Sequence, residues 1–333
     1  MIEETLNQIL RWVEGPIVIT SGPGCGKTTA AGIDALYLTS IGLRVLVVTF
    51  TNGAVTELCD KGVVAMTIDA FYFRCLRQWH ELGGFNGKNF NLLQIRFSEM
   101  LKTPDFLKWV RNLYDVVILD EGQDTNKAQL KSLWEVSQGE LHVFGDIDQC
   151  IYEWRGAQPN VLLEFCVNHG IEPVPMPYTH RLTKQVLKAS RNVIKHNVKR
   201  FSTPVKTDKE GPEVEVEIGL YDVEATMERL KQINSNDVAV LSRNVKRRGF
   251  LKDFWAQGLD KSAESHKPYC GSFHGAKGLE WKNVFIIRAD VREFQNEPLE
   301  EARRLFYTGM TRSENFLHIS AFEPICFVKE MGI

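Results

Sequence analysis

No run of apolar residues in this chain approaches the ~18 that a membrane span needs, so no membrane segment is expected. Neither sign of charge dominates. Forty Lys and Arg stand against 42 Asp and Glu, a formal net charge of -2. No global basic excess announces nucleic acid, although a groove can be basic while the rest is acidic. The seven cysteines are odd in number and no two have C-x-x-C spacing, and the histidines form no HExxH pattern. A zinc site, a redox motif and a disulfide framework are therefore not expected. The first residues, MIEETLNQILRW, carry no basic n-region, no apolar h-region and no small-residue cleavage site. The expectation is a cytoplasmic protein without a signal peptide.

What is present is an α/β rhythm. Short apolar runs alternate with helical patterns, which predicts parallel sheets with crossover helices. Ile17–Thr20, Val45–Phe50, Val116–Leu119 and His142–Phe144 read as buried strands, and Thr28–Thr39 as a helix that stops near Gly42. Each strand ends at a polar cluster, at Ser21, Thr51, Asp120 and Asp146. Ligands gather beyond the carboxyl ends of strands in open α/β sheets, so these clusters are expected to converge. A second set of strands is expected at Glu172–Met176, Val214–Ile218, Val238–Leu241 and Val284–Ile287, with a loop over Phe201–Pro212. The length suits two domains, residues 1–170 and 171–333, with a small helical insert near 74–112 in the first.

Ser21–Thr29 reads SGPGCGKTT between a strand and a helix. Gly22, Gly24 and Gly26 let backbone N–H groups turn inward around phosphate oxygens, and the following helix offers the positive end of its dipole. The loop backbone from Gly22 through Cys25 to Thr29 is thus expected to hold ATP phosphates. Lys27 would reach the β and γ phosphates and the Thr28 hydroxyl would hold Mg²⁺. Val116–Asn126 reads VVILDEGQDTN. Asp120, at the end of a buried strand, is the second expected Mg²⁺ ligand. Glu121 is placed to deprotonate the attacking water.

DEGQDTN resembles the DExQDTN signature of UvrD/Rep-like superfamily 1 helicases, with Gly122 where a larger residue is usual. Further motifs follow in the family's order: TFTN at Thr49–Asn52, GDIDQCIYEWRGA at Gly145–Ala157, SFHGAKGLEW at Ser272–Trp281 and EEARRLFYTGMTRS at Glu300–Ser313. The resemblance implies two RecA-like (P-loop NTPase) lobes with ATP hydrolysed in the cleft between them. It implies that Gln149 senses the γ-phosphate, that Arg181 and Arg312 reach it from the second lobe, and that Glu280 contacts the ribose. His180 falls where the family stacks a tyrosine on adenine, and Gln8 is the nearest candidate for the glutamine that reads the base. Phe50, Tyr152 and Trp154 match the stacking aromatics, the alternative being core packing. Thr51, Asn52, Thr67, Arg155, Ser272 and His274 resemble positions that contact the strand backbone or couple it to ATP. Asp69 departs from the family's usual histidine. The span from Lys184 to Lys195 has a basic face that reads either as a strand track or as the solvated side of an amphipathic helix.

The implied function is an ATP-dependent motor on single-stranded DNA, monomeric and stepping 3′ to 5′. The spans between Lys27 and Asp120 and between Arg181 and Gly271 leave no room for the large inserted subdomains of bigger relatives. A protein partner that stimulates unwinding is therefore expected. An RNA-directed motor and a regulatory or assembly ATPase acting on a protein partner are the alternatives.

Overall fold

The structure, a computed structural model, describes residues 15–85, 87, 89–219, 223–233, 237–243, 254–255, 258–260 and 268–333. They form two compact units. The first runs through Tyr178 and includes Arg200–Val205, and the second holds Thr179–Lys199 and the chain from Lys206 onward.

The first unit is built on six parallel strands: β1 (Ile17–Ser21), β2 (Val45–Thr49), β3 (Ala65–Thr67), β4 (Val116–Leu119), β5 (Leu141–Gly145) and β6 (Val174–Met176), in the order β3-β2-β4-β5-β1-β6. β1, β4 and β5 are buried along their whole length. Continuous runs such as IVITS and VVIL suit a parallel sheet covered on both faces. Helices α1 (Lys27–Ser40), α2 (Asn52–Asp60), α3 (Ile68–Gln78), α4 (Phe90–Met100), α5 (Pro104–Arg111), α6 (Lys127–Ser137) and α7 (Pro159–His169) complete the unit. The division expected near Gly170 falls after Tyr178, and the reason is β6. Val174 and Met176 pair with Ile19 and Ser21, so a strand expected to open the second lobe finishes the first sheet instead. The insert expected near 74–112 begins inside α3, and α4 and α5 account for its helices. Phe97, Phe106 and Val110 join the same core as Val18, Val48 and Leu119, so these helices are a wall of the lobe.

The second unit carries β7 (Glu215–Ile218), β8 (Val238–Ser242), β9 (Tyr269–Ser272), β10 (Trp281–Ile286) and β11 (Ser313–Ala321), all parallel, in the order β7-β11-β10-β8-β9. Around them lie α8 (Lys184–Ile194), α9 (Val223–Ile233), α10 (Val291–Phe294), α11 (Leu299–Met310) and α12 (Cys326–Glu330). α8 buries Val186, Leu187, Val193 and Ile194 and exposes Lys184 and Lys188, with Lys195 exposed at its C-cap, an amphipathic helix with a solvated basic face. Arg303 on α11 is buried. It is satisfied by two hydrogen bonds to Glu330 at 2.8 and 2.9 Å and one to Asn197 at 2.8 Å, as a charge out of water must be.

Candidate nucleotide and nucleic-acid sites

The phosphate loop leaves β1 and enters α1 at Lys27. Gly24 and Gly26 hold φ of 69° and 84°, left-handed values that glycine adopts without strain. A Cβ on Gly22 would lie 2.8 Å from Val205 Cγ2, so the returning segment presses on the loop. Cys25 and Lys27 are buried, Thr28 is partly covered and Thr29 is exposed. The Thr28 hydroxyl donates to Asp120 Oδ2 at 2.9 Å. Asp120 is fully buried and its Oδ1 has no hydrogen-bond partner. Burial, followed by the charge of Glu121, pushes the Asp120 carboxyl up to about 7, while the Thr28 hydroxyl and Lys27 pull it back. A buried, unpartnered carboxylate oxygen beside a threonine hydroxyl is a hard-oxygen pair that fits Mg²⁺. A cation there would favour the ionised form that burial disfavours.

The segment after β4 turns tightly. Glu121 takes φ of 54°, and a Cβ on Gly122 would stand 2.5 Å from Val143 Cγ1 on β5. The departure from the family's larger residue at Gly122 therefore fits a turn packed hard against the neighbouring strand. The Gln123 side-chain amide donates to Glu121 Oε2, and its oxygen accepts from Asp146 N at 2.9 Å. Asp146 Oδ2 accepts from Gln149 Nε2 at 2.6 Å, and Oδ1 accepts from Asp148 N at 3.0 Å. Burial raises the Asp146 carboxyl, with Lys27 the largest opposing influence. Arg200 Nη2 bonds Asp148 Oδ2 at 2.7 Å. Lys27, Thr28, Asp120, Glu121 and Gln149 thus belong to one connected polar cluster at the carboxyl ends of β1, β4 and β5. Gln123, Asp146 and Arg200 join it, Asp146 as the polar strand end expected to converge here and the other two without an expected role. The first two stand inside motifs already quoted. Arg200 comes from a distant segment with no local signal.

The expected strand-contacting residues of the first unit also gather. Phe50 and Tyr152 have ring centroids 5.5 Å apart, and Tyr152 and Trp154 6.3 Å. The Arg155 guanidinium lies 4.9 Å from the Phe50 centroid and 5.5 Å from that of Trp154. Trp154 is 69% exposed, which rules out core packing for it. Phe50 and Tyr152 are half-buried. Thr51 and Thr67 cap α2 and α3, accepting from Ala54 N at 3.2 Å and Ala70 N at 3.1 Å. Asn52, exposed, opens α2.

In the second unit Arg181 Nε donates to Glu280 Oε2 at 2.6 Å, so two residues expected at the nucleotide pair with each other. Burial first, then the Glu280 charge, raises the neighbouring Glu314 carboxyl. Arg312 is buried, its Nε bonding Thr308 O at 3.0 Å and its Nη1 bonding Leu279 O at 3.2 Å. Arg181, Glu280 and Arg312 therefore converge on the Leu279–Trp281 segment. His180, beside Arg181, is exposed. Ser272 ends β9 and accepts from Gly275 N at 3.1 Å, with His274 half-buried in the same turn. Gln8 lies outside the described residues.

Two family models match this chain. The N-terminal domain of UvrD/REP helicases covers residues 68–170, and the UvrD-like helicase C-terminal domain covers residues 268–320. These two segments are similar to the two halves of a UvrD/REP-type helicase. Among its relatives, DNA helicase II of Rickettsia typhi is 29% identical over 73% of this chain and 40% of the relative. DNA helicase II of Haemophilus influenzae is 29% identical over 53% and 25%. ATP-dependent DNA helicase PcrA of Staphylococcus epidermidis is 38% identical over 33% and 16%. The chain spans 40% or less of the length of each of these three.

Proposed function

We propose that the chain is an ATP-driven motor on single-stranded DNA, a compact member of its family. The observation that carries this reading is the Thr28–Asp120 pair, with its unpartnered Asp120 oxygen. It stands in the same unit as an exposed tryptophan flanked by an arginine and a tyrosine. The first arrangement suits a nucleoside triphosphate with its metal, and the second suits stacked bases with a basic neighbour.

In this reading the loop N–H groups from Gly22 to Thr29 bind the phosphates and Lys27 pairs with their charge. Thr28 and Asp120 would hold Mg²⁺, which neutralises charge developing on the transferred phosphoryl group. Glu121, fixed by Gln123, accepts a proton from the attacking water. Gln149, fixed by Asp146, is the residue able to report the γ-phosphate to the segment that carries Trp154. Arg181 and Arg312 supply positive charge from the second unit, which requires Arg181 to leave Glu280. Strand stepping from 3′ to 5′ rests on the family resemblance.

Without large inserted subdomains the motor should translocate well and separate long duplexes poorly unless a partner assists. Streptavidin displacement from biotinylated single strands reads the direction. A 3′-to-5′ motor clears a 5′-terminal biotin faster with ATP and leaves a 3′-terminal one unaffected. ATP-independent release from both ends would contradict the motor.

A further inference from the structure

Beside the aromatic cluster the first unit has a cleft of about 420 Å³ lined by Phe50, Asp69, Gln94, Asn126, Trp154 and Arg155, among others. The volume lies within the ~300 to 1,000 Å³ usual for small-ligand sites. One wall is aromatic and cationic, as a base-stacking platform should be. The other wall is amide and carboxylate. Gln94 and Asn126 bond each other reciprocally, Nε2 to Oδ1 at 3.2 Å and Nδ2 to Oε1 at 2.9 Å. Asn126 Oδ1 also accepts from Gln129 N at 2.9 Å, so what this pair keeps for a base is the second hydrogen of each amide and one lone pair of Gln94 Oε1.

Asp69 sets the sign of the cleft. The chain carries a half-buried carboxylate here, in a first helical turn capped by Thr67. Burial raises the carboxyl and Arg155 lowers it. Asp69 disfavours a strand phosphate at its own wall while Arg155 in the same cleft attracts one, which suits a strand whose base turns to Asp69 and whose phosphate lies towards Arg155. Ionised, Asp69 only accepts hydrogen bonds. An exocyclic amino group satisfies it, whereas a ring carbonyl meets it lone pair to lone pair.

Resting on the motor reading above, we propose that this cleft takes one unstacked base and favours a base with an exocyclic amino group, through Asp69 and the Gln94–Asn126 amide pair. The motor would then grip cytosine-type bases more firmly than uracil- or thymine-type ones.

Oligonucleotides of deoxycytidine and deoxyuridine, equal in length, isolate the difference, because the exchange of the 4-amino for a 4-carbonyl group, with its adjacent ring proton, is all that separates them. Binding of the full chain is read by fluorescence anisotropy at one stated salt concentration. A hydrogen bond to a charged group discriminates more than a neutral one, and partial exposure reduces it, so dC is expected to bind about fivefold tighter than dU. Asp69→Asn, whose amide both donates and accepts, should bring the two within about twofold. Gln94→Ala should weaken dC more than dU. Equal affinity of the wild-type chain for both oligonucleotides would overturn the proposal and leave the motor reading standing. So would a preference that persists unchanged in Asp69→Asn. Absence of binding to either would instead overturn the motor reading itself.

Discussion

Replacing Trp154 with alanine separates stacking from packing by magnitude. The indole is 69% exposed, so roughly a third of the ~250 Å² that a large aromatic can bury is covered. At about 25 cal/mol per Å² that area is worth about 2 kcal/mol, and this is an upper bound because the unfolded chain is itself compact. A fully buried tryptophan would cost about 3–5 kcal/mol on truncation. Loss of one stacked base, in contrast, costs about 1–3 kcal/mol of strand affinity, or roughly 5- to 150-fold. Urea denaturation and oligonucleotide anisotropy on the same preparation give both quantities. The expected result is a folded variant with basal ATP hydrolysis retained and strand affinity lost. Unchanged affinity, or destabilisation at the fully buried level, would refute the stacking argument.

The remaining predictions are these. Lys27→Ala should weaken ATP binding, because a phosphate loses its charge partner, whereas Glu121→Gln should keep binding and slow turnover by at least about 10²-fold. Nucleotide titration beside steady-state hydrolysis checks both, and wild-type rates in both would remove the site. Gly122→Ala should destabilise by about 1–3 kcal/mol, since its Cβ would stand 2.5 Å from Val143 Cγ1; an unchanged urea midpoint would contradict that. Burial, and then Arg229, hold the His318 imidazole below the ordinary histidine range against the pull of Glu215 and Glu217. The unfolded chain therefore takes up a proton that the folded chain resists, and stability falls as pH drops below about 6.5. His318→Gln should flatten the urea-stability slope between about pH 5 and 7, and an unaltered slope would count against this histidine.

Local pattern carried the catalytic half of the first unit into the sequence. Buried runs ending at Ser21, Asp120 and Asp146 read as strands because each is apolar on both faces. The glycines of the phosphate loop read as a turn because the lysine and threonine follow at fixed spacing. β9 and β11 were not legible. YCGS carries a glycine and a serine that suggest a turn, and SENFLHISA starts polar and is continuously buried only from Leu317 onward. β6 was legible as a strand, but its sheet was not, because its partners lie in β1 at the other end of the unit. The same limit hid the polar network. Thr203 meets Thr20 at 2.7 Å across 183 residues of sequence, and Asp34 meets His142 at 2.7 Å across 108. Neither spacing has a period or motif. The resemblance named Arg181, Glu280 and Arg312 for their chemistry, yet nothing in the sequence showed that Arg181 and Glu280 pair or that Arg312 is buried against two carbonyls.

The central claim is that the polar cluster around Lys27 and Asp120 works for a strand-tracking motor. The most direct test is the steady-state ATP hydrolysis rate of the full chain with magnesium, measured with single-stranded DNA, with single-stranded RNA and with neither. A motor on single-stranded DNA should show a low basal rate, strong stimulation by DNA and weaker stimulation by RNA, with Trp154→Ala keeping the basal rate and losing most of the stimulation. A rate that neither nucleic acid changes would contradict it.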